Sequence, residues 1–235
     1  MSTSTRGRGF PLCCLATVLG LAACRTSPPP APSQPVVAPS RLEKPADART
    51  LSVIAADSTL EIRVYRGGPM ARMGHNHVIA SRHLRGEVYL ADDATKSRFD
   101  IRFPVNELTI DEPAMREAAG PDFPAEVPQS ARDGTRRNLL SEALLDGAHY
   151  PEIHLRATDV KPAAGVWDVG VEIIFKDRVY PVRVPVELER RGEGITARGE
   201  FPLHQTQLGL KPFSVAMGSL VVLDEMRIRF TLVAR

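Results

Sequence analysis

Two histidines separated by one residue are the side chains best placed by type and spacing to do chemistry. His75 and His77 would project to the same side of an extended segment. Such a pair can supply two imidazole ligands to Zn²⁺ or Cu²⁺. A complete site needs a further ligand, for which the sequence offers His83, His149 and Asp133 without a fixed spacing. In the alternative interpretation, one histidine hydrogen-bonds a turn or the backbone, and the other lies in solvent.

The same histidines could transfer protons, because imidazole titrates near neutral pH. Covalent catalysis would also require a nucleophile beside a base and an orienting acid. No such set can be assembled from the sequence, since Ser81 lies in no nucleophile-elbow motif and Ser141 falls inside a predicted helix. We therefore expect no enzymatic activity, and an enzyme acting on a lipid is the third-ranked hypothesis.

The N-terminal segment is typical of an exported lipoprotein. Arg6 and Arg8 precede an apolar run over residues 10–23 that is too short to span a bilayer. The run ends in Leu-Ala-Ala-Cys, which resembles the lipobox of bacterial lipoproteins and makes Cys24 the predicted lipidation site. Arg25, in place of Asp, resembles the pattern that directs such proteins to the outer membrane. We expect an envelope protein that faces the periplasm and is anchored by acyl chains on Cys24.

These features divide the chain into three parts. Residues 1–23 are predicted to be a signal peptide, and residues 24–49 the lipidated cysteine and a proline-rich tether. Residues 50–235 are predicted to be one folded domain, which contains no cysteine. This absence excludes disulfides, thiolate metal sites and a cysteine nucleophile from the folded domain.

The charge balance argues against nucleic acid as a partner. The chain has 30 Lys and Arg against 28 Asp and Glu, and Arg6 and Arg8 account for the excess. Binding to phosphate backbones requires clustered basic residues, which the neutral remainder of the chain does not show. Aromatic residues make up 6% of the chain, so platforms for stacking bases are not expected either.

Past residue 50, hydrophobic and polar residues alternate with a period of two, which is typical of antiparallel strands with one buried face. In the run 182–188, for example, the even-numbered positions hold Val182, Val184, Val186 and Leu188. Such strands must hide one face, and consecutive hairpins favour closure into a barrel. Nine strands are predicted, over 51–56, 58–66, 83–92, 97–110, 151–160, 166–176, 178–190, 194–204 and 218–234.

Three segments interrupt the alternation. Residues 69–81, which contain the two histidines, are predicted to connect two strands. Residues 132–146 carry leucines at helical spacing and predict a helix that Gly147 caps. Residues 111–131 are expected to form a long loop, either a lid over a binding pocket or a segment without order.

Two motifs resemble those of the YceI-like family. Residues 139–151 hold Leu-x-Ser-x-x-Leu-Leu-Asp and then Tyr-Pro, similar to the family's HLxSxxFLDxxxYP, although Asn138 replaces the His. Residues 199–210 hold Gly-x-Phe-x-Leu-His and then Leu-Gly-Leu, similar to GxFxIxRxxFGI, although His204 replaces the Arg. The family also has a His before a strand that opens at Gly, and His77 before Gly86 is the nearest match.

The resemblance implies an all-β, lipocalin-like antiparallel barrel of about eight strands, with a short helical cap and an elongated apolar cavity associated with polyisoprenoid lipids. A barrel of this size can hold one slender ligand. The residues predicted to line the cavity or its mouth are His77, Leu139, Leu144, Ile153, Leu155, Val171, Ile173, Val184, Val186 and Phe201.

Two functional hypotheses from different classes rank highest. The first is a non-catalytic envelope lipoprotein that carries or stores a polyisoprenoid, an isoprenoid quinone or another long apolar ligand. The second is a metal- or redox-associated envelope protein that uses His75 and His77. The expected partners are the lipid ligand and the membrane, no cofactor is predicted beyond a bound lipid, and assembly into a homodimer is left open.

Overall fold

The computed structural model describes residues 42–124 and 126–235. The predicted signal peptide, Cys24 and the tether before residue 42 lie outside the described residues. The described part contains two α-helices, α1 (Pro113–Ala119) and α2 (Gln129–Leu139). Its strands are β1 (Arg49–Ser52), β2 (Thr59–Gly67), β3 (His77–Ser81), β4 (Arg85–Leu90), β5 (Arg98–Pro104), β6 (Thr109–Ile110), β7 (Glu152–Ala163), β8 (Val166–Phe175), β9 (Arg178–Arg191), β10 (Gly194–His204), β11 (Ser214–Val215) and β12 (Leu220–Ala234).

All of these strands belong to one antiparallel sheet that curls into a half-barrel. The strand order is β1-β4-β5-β7-β8-β9-β10-β12-β2-β3-β6, with β11 paired to β12. The chain leaving β1 reaches β12, where Val53 and Ala234 form an isolated bridge. Beside this bridge the Arg235 N–H donates to the Ser52 carbonyl at 3.0 Å. The predicted all-β, lipocalin-like fold with a short helical cap is therefore confirmed.

Alternating burial shows why these residues form strands. On β9, Val184 is buried, whereas Arg183, Pro185 and Glu187 are exposed. A register shift between Val222 and Met226 interrupts the pairing of β12 with β2, and such irregularities bend strands and help a sheet to curl.

No helix in the described residues is long and apolar enough to cross a membrane.

The hairpin turns follow from local sequence. Lys176 and Asp177 join β8 to β9 with φ angles of 50° and 55°, the left-handed conformation that a two-residue hairpin turn of type I′ requires. Gly165 lies between β7 and β8 with a φ of 82°, which glycine adopts without steric cost. These two turns place β7, β8 and β9 side by side.

The strand count exceeds the prediction because short or fully buried strands do not alternate. The segment predicted as a connection over residues 69–81 ends in β3, so that prediction was wrong for His77–Ser81. Val78, Ile79 and Ala80 are all buried, since β3 is covered on both faces. A strand buried on both faces lacks the period of two that identifies one.

The long loop predicted over residues 111–131 contains helix α1 and the start of α2. Pro113 occupies the first turn of α1, where proline's fixed φ and missing N–H suit a helix start. Met115 of α1 and Phe123 after it pack with Val78 and Ala80 of β3. This segment covers the outer face of β3 and is ordered by that contact, so its description as a structureless loop was wrong.

Helix α2 begins and ends earlier than the predicted 132–146. It ends at Leu139 because the chain turns there, with the Leu145 N–H donating to the Leu139 carbonyl at 3.1 Å. Leu144 and Leu145 lie in that turn, and Leu145 packs on the same core as Leu139 and Leu140, which explains the misleading helical spacing. Asp146, with a φ of 49°, adopts the left-handed conformation, and Gly147 caps no helix.

Candidate functional site

The interior of the curled sheet holds a cavity of about 250 Å³, here called cavity 1. Its lining consists of hydrophobic side chains apart from Ser97 and Arg98. The largest of them are Trp167, Phe99, Phe103, Phe201 and Phe230. The inward side chains come from nearly every long strand, because each strand turns its apolar face to the same interior. The cavity therefore suits a ligand without polar groups.

A second cavity of about 230 Å³, cavity 2, adjoins the first and lies under helix α2. Six residues line both cavities, so the two lie side by side; these are Ile62, Phe103, Ile153, Ile173, Leu208 and Met226. Cavity 2 also has polar residues in its lining, namely Arg66, His75, His77, Thr135, Asn138 and Gln205. The lining is thus almost entirely apolar in cavity 1 and mixed in cavity 2, as an amphiphile with a long apolar tail requires.

The ten residues predicted to line the cavity or its mouth all lie against this interior. His77, Leu139 and Leu144 line cavity 2, and Ile153 and Ile173 line both cavities. The remaining five line cavity 1; they are Leu155, Val171, Val184, Val186 and Phe201. Contact of these residues with a ligand stays a prediction.

His77 is held in place by a buried carboxylate. Its Nδ1 lies 2.6 Å from Oδ2 of Asp111, and its Nε2 lies 3.2 Å from the hydroxyl of Thr135 on α2. The Asp111 side chain is fully buried. The hydrogen bonds fix the ring orientation, so His77 faces cavity 2 as a positioned group.

Asp111 is held in turn by groups on two elements, β3 and α1. The Val78 N–H of β3 donates to its Oδ1 at 2.9 Å, and the guanidinium of Arg116 on α1 donates to the same oxygen. Asp111 has a φ of 57°, a left-handed conformation that Asp tolerates better than most residues. Burial alone would raise the pKa of Asp111, but hydrogen bonds from His77, Val78 and Arg116 hold it below its usual value.

Arg116 is a buried cation whose donors meet carbonyl oxygens as well as Asp111. Its Nε donates to the Pro124 carbonyl at 2.6 Å, and Nη1 donates to the Asn76 carbonyl at 2.7 Å. The guanidinium also lies 5.8 Å from the ring centroid of Phe123, a cation–π distance. Because both charges are paired and hydrogen-bonded, this network locks α1 against β3.

His75 lines cavity 2 beside His77, with ring centroids 6.1 Å apart. Its pKa is lowered, chiefly by burial and further by the positive charge of His77, Arg116 and Arg66. A lowered pKa favours the neutral imidazole, which both donates and accepts a hydrogen bond. His75 therefore offers a hydrogen-bonding group to the polar end of a ligand.

Most of the side chains predicted as metal ligands are engaged with other partners, and they are not arranged around a metal site in the described part of the chain. Both ring nitrogens of His77 already have partners. The other candidate ligands have partners of their own: His83 lies 3.1 Å from Glu107, His149 lies 2.8 Å from Asp146, and Asp133 accepts from Gln129. Within residues 42–124 and 126–235, no group of three or more His, Cys, Asp or Glu is arranged to hold a metal ion.

Sequence reasoning missed Asp111 and Arg116, because the segment was assigned to a loop. A usable signal was present, since Pro113 is followed by Ala, Met, Arg and Glu, all good helix formers. A helix at this place puts Arg116 one turn after its start. That signal would have predicted α1, but the contact of Arg116 with Asp111 and β3 depends on the fold.

Comparison with known proteins agrees with this geometry. The family model for the YceI-like domain matches residues 53–234. BcnA of Burkholderia cenocepacia is 18% identical, with a TM-score of 0.58, and the alignment covers 78% of this chain and 99% of that one. The Campylobacter jejuni YCEI protein is 8% identical, with a TM-score of 0.41 and coverage of 63% and 80%. No curated protein matches this chain.

The matched region includes strands β2 to β12 and both helices. It therefore contains the two cavities and the hydrogen-bonded network beside them. The likeness to BcnA shows the shared fold, and the family match confirms the resemblance seen in the sequence motifs. The chain belongs to the YceI-like domain family.

Proposed function

We propose that this protein is an envelope lipoprotein that holds a long apolar ligand, such as a polyisoprenoid or an isoprenoid quinone, as a non-catalytic carrier or store. The observation that carries the proposal is the pair of adjoining cavities 1 and 2, which share six lining residues. It is lined by hydrophobic side chains at one end and adjoins polar side chains at the other.

The apolar interior would supply most of the binding free energy. Each buried CH₂ group of a ligand contributes about 0.8 kcal/mol, so a slender chain of several isoprene units binds tightly without hydrogen bonds along its tail. The two cavities together fall within the roughly 300–1,000 Å³ of small-molecule sites. The polar head of the ligand would lie beside His75, His77 and Asn138 in cavity 2.

A non-catalytic role is supported by the polar groups around the cavities. Among the described residues that line them, the hydroxyl-bearing side chains are Ser97 and Thr135. The Thr135 hydroxyl donates to the Ala131 carbonyl at 3.0 Å, and Ser97 Oγ accepts from the Ala91 N–H at 3.1 Å. Thr135 Oγ1 lies 3.2 Å from Nε2 of His77, which Asp111 orients, but the one proton of this hydroxyl is donated to the Ala131 carbonyl and not to the imidazole, whereas covalent catalysis requires the base to take that proton.

The N-terminal sequence supports the proposed location in the cell. The apolar run ending at Cys24 supports export and lipidation, and Arg25 supports sorting to the outer membrane. Acyl chains on Cys24 would hold the folded domain on a tether close to the membrane. The protein would then face the periplasm beside its source of ligand.

Native mass spectrometry tests the proposed ligand. The protein is purified from the envelope of cells in mild detergent, and its mass is compared with that of the protein after extraction with organic solvent. We expect the protein before extraction to carry an additional mass that matches an isoprenoid lipid. Adding a long-chain ubiquinone to the extracted protein should restore a bound lipid mass. Purification without any lipid mass, together with no binding of added ubiquinone or polyprenyl phosphate, would refute the proposal.

A further inference from the structure

Two neighbouring segments form an exposed tip beside cavity 2. One is residues 67–74, which follow the pairing of β2 with β12, and the other is residues 214–223. The Met70 N–H donates to the Ser219 carbonyl at 2.8 Å, which joins the two segments directly. We call these two segments together the tip.

The tip concentrates the exposed hydrophobic surface of the protein. Five large hydrophobic side chains are exposed in the described part of the chain, and all five belong to the tip: Met70, Met73, Val215, Met217 and Leu223. Met73 is 66% exposed and Met217 is fully exposed at 106%. Single exposed hydrophobic residues are common on protein surfaces, but a cluster of them marks an interaction site.

Backbone strain accompanies this exposure. Ala216 and Met217 have φ angles of 49° and 55°, a left-handed conformation that is unfavourable for residues with a Cβ atom. Leu223 lies where the register of β12 shifts between Val222 and Met226. Strained residues often occur where a protein must present particular side chains. Here the strained turn carries the most exposed methionine of the tip.

The charge around the tip is positive. The stretches 66–75 and 205–223 contain Arg66, Arg72 and Lys211 but no Asp or Glu, and all three basic side chains are exposed. The next acids along the chain are Asp224, which accepts hydrogen bonds from the N–H and hydroxyl of Thr206, and the exposed Glu225, which lies 4.0 Å from Arg227. The tip therefore combines hydrophobic side chains with flanking cations.

The same two segments line cavity 2. Gly74 ends the first segment and His75 follows it, and Leu220, Val221 and Val222 belong to the second. A surface that covered the tip would therefore lie directly against the polar end of the ligand cavity. This adjacency connects the tip with the exchange of a ligand.

We propose that the tip docks on a lipid bilayer that contains anionic lipids. The methionines would lie among the acyl chains, and the basic side chains at the level of the headgroups. The docking itself does not depend on the proposed function. Its role in ligand exchange does rest on that function, because docking would place cavity 2 against the membrane from which a long apolar ligand must come.

The chemistry of the tip favours a bilayer over a second copy of this chain. Methionine side chains are unbranched and flexible, which suits a fluid partner better than a rigid one. Two tips facing each other across a two-fold axis would also bring like charges together, because Arg66, Arg72 and Lys211 would repeat on both sides. Anionic lipid headgroups complement these charges instead.

Vesicle flotation tests the docking. Residues 42–235 contain the whole described sheet and all three apolar clusters of the core, so they carry their own core and can be tested without the lipid anchor. They are mixed with vesicles of phosphatidylethanolamine and phosphatidylglycerol, and separately with vesicles of phosphatidylcholine. We expect the protein to float with the anionic vesicles, and to bind phosphatidylcholine vesicles less.

Matched variants assign the binding to the tip. Met73→Ser with Met217→Ser should weaken binding about tenfold or more, because two apolar contacts are lost, whereas Met73→Leu with Met217→Leu should retain it. Arg72→Ser with Lys211→Ser should weaken binding to anionic vesicles. The matched control is Arg178→Ser with Arg190→Ser, which removes two exposed cations of β9 and should leave binding unchanged. Thermal unfolding monitored by circular dichroism confirms that each variant is folded.

Three results would overturn the proposal. The first is that wild-type residues 42–235 fail to float with anionic vesicles. The second is that the serine and leucine variants float equally. The third is that the wild type binds no vesicles and forms a dimer, which the serine substitutions convert to a monomer. Ubiquinone binding in detergent is measured on the same variants. If wild-type residues 42–235 float with the vesicles but bind neither ubiquinone nor polyprenyl phosphate, the docking proposal is supported and the proposed ligand is refuted.

Discussion

The Nδ1 atom of His77 lies 2.6 Å from the Oδ2 atom of Asp111, and this contact joins the ligand cavity to a buried ion pair. The other carboxylate oxygen of Asp111 accepts from Arg116, whose side chain is 1% exposed. A group that faces the cavity is therefore positioned by a charge pair that is shielded from solvent. The stability of the fold and the geometry of the cavity are linked through this carboxylate.

Removing the buried cation should be strongly destabilising. Arg116→Met leaves the Asp111 carboxylate buried without its charge partner, and we expect a loss of about 3–5 kcal/mol in the free energy of unfolding. The control is Arg82→Met, which removes the exposed ion pair with Glu112 and should lower it by about 0–1 kcal/mol. Urea denaturation measures both, and equal losses would mean that the buried network contributes no more than a surface pair.

The protein should become less stable as the pH falls below 6.5, the ordinary pKa of histidine. The pKa of His75 is lowered in the folded state by burial and nearby cations, so the unfolded chain binds a proton more readily. The stability due to neutral His75 is present above pH 6.5 and is lost as the pH falls toward the lowered pKa. Urea denaturation of the wild type and of His75→Asn at pH 7.5 and pH 5.5 should show a smaller decrease in the variant. An unchanged decrease would show that other groups cause it.

A charge placed inside the cavity should impair both folding and ligand binding. Val184→Asp puts a carboxylate on the inner face of β9, where it loses water without gaining a partner, at a cost of several kcal/mol. Glu187→Gln changes a charge on the exposed face of the same strand and should be nearly neutral. Ubiquinone binding and urea denaturation are measured for both variants. Similar damage from both would contradict the assignment of the two faces.

Changing both cavity histidines distinguishes a lipid ligand from a metal. In His75→Ala with His77→Ala, a tail held by apolar area should remain bound, with a loss of about 1 kcal/mol for each hydrogen bond to the head. Metal content is measured on the wild type and the variant after loading with Zn²⁺ and Cu²⁺. A stoichiometric metal in the wild type that disappears in the variant would favour the metal hypothesis. Unfolding is measured in parallel, because His77→Ala also removes a hydrogen bond to Asp111.

The proposed anchor is tested at Cys24. Cys24→Ser removes the thiol that accepts the lipid, so we expect incorporation of labelled fatty acid to stop and most of the protein to move to the soluble fraction of the envelope. The tip would then provide only weak, reversible binding. A variant that remains quantitatively with the membrane fraction would show that lipidation is not what anchors the protein.

Much of the fold and of the cavity could be predicted from sequence alone. The period of two along β9 placed Val184 and Val186 on the buried face, because alternate side chains of a strand must face opposite sides. Seven of the ten residues predicted to line the cavity lie on β7 to β10 and face the interior for the same reason. Such local patterns predict burial wherever one face of a strand or helix is buried and the opposite face is exposed to solvent.

The tertiary structure decided the features that depend on distant parts of the chain. β3 is buried on both faces because residues 113–123 cover it, so its sequence carries no alternation. Asp111 and Arg116 are charged residues that sequence alone would place in solvent, and their burial is possible because β3, α1 and His77 supply partners. The exposure of Met217 and its neighbours likewise follows from two segments meeting at the end of the sheet. Periodicity reports which face of an element is buried, whereas the identity of what covers that face is settled when the chain folds.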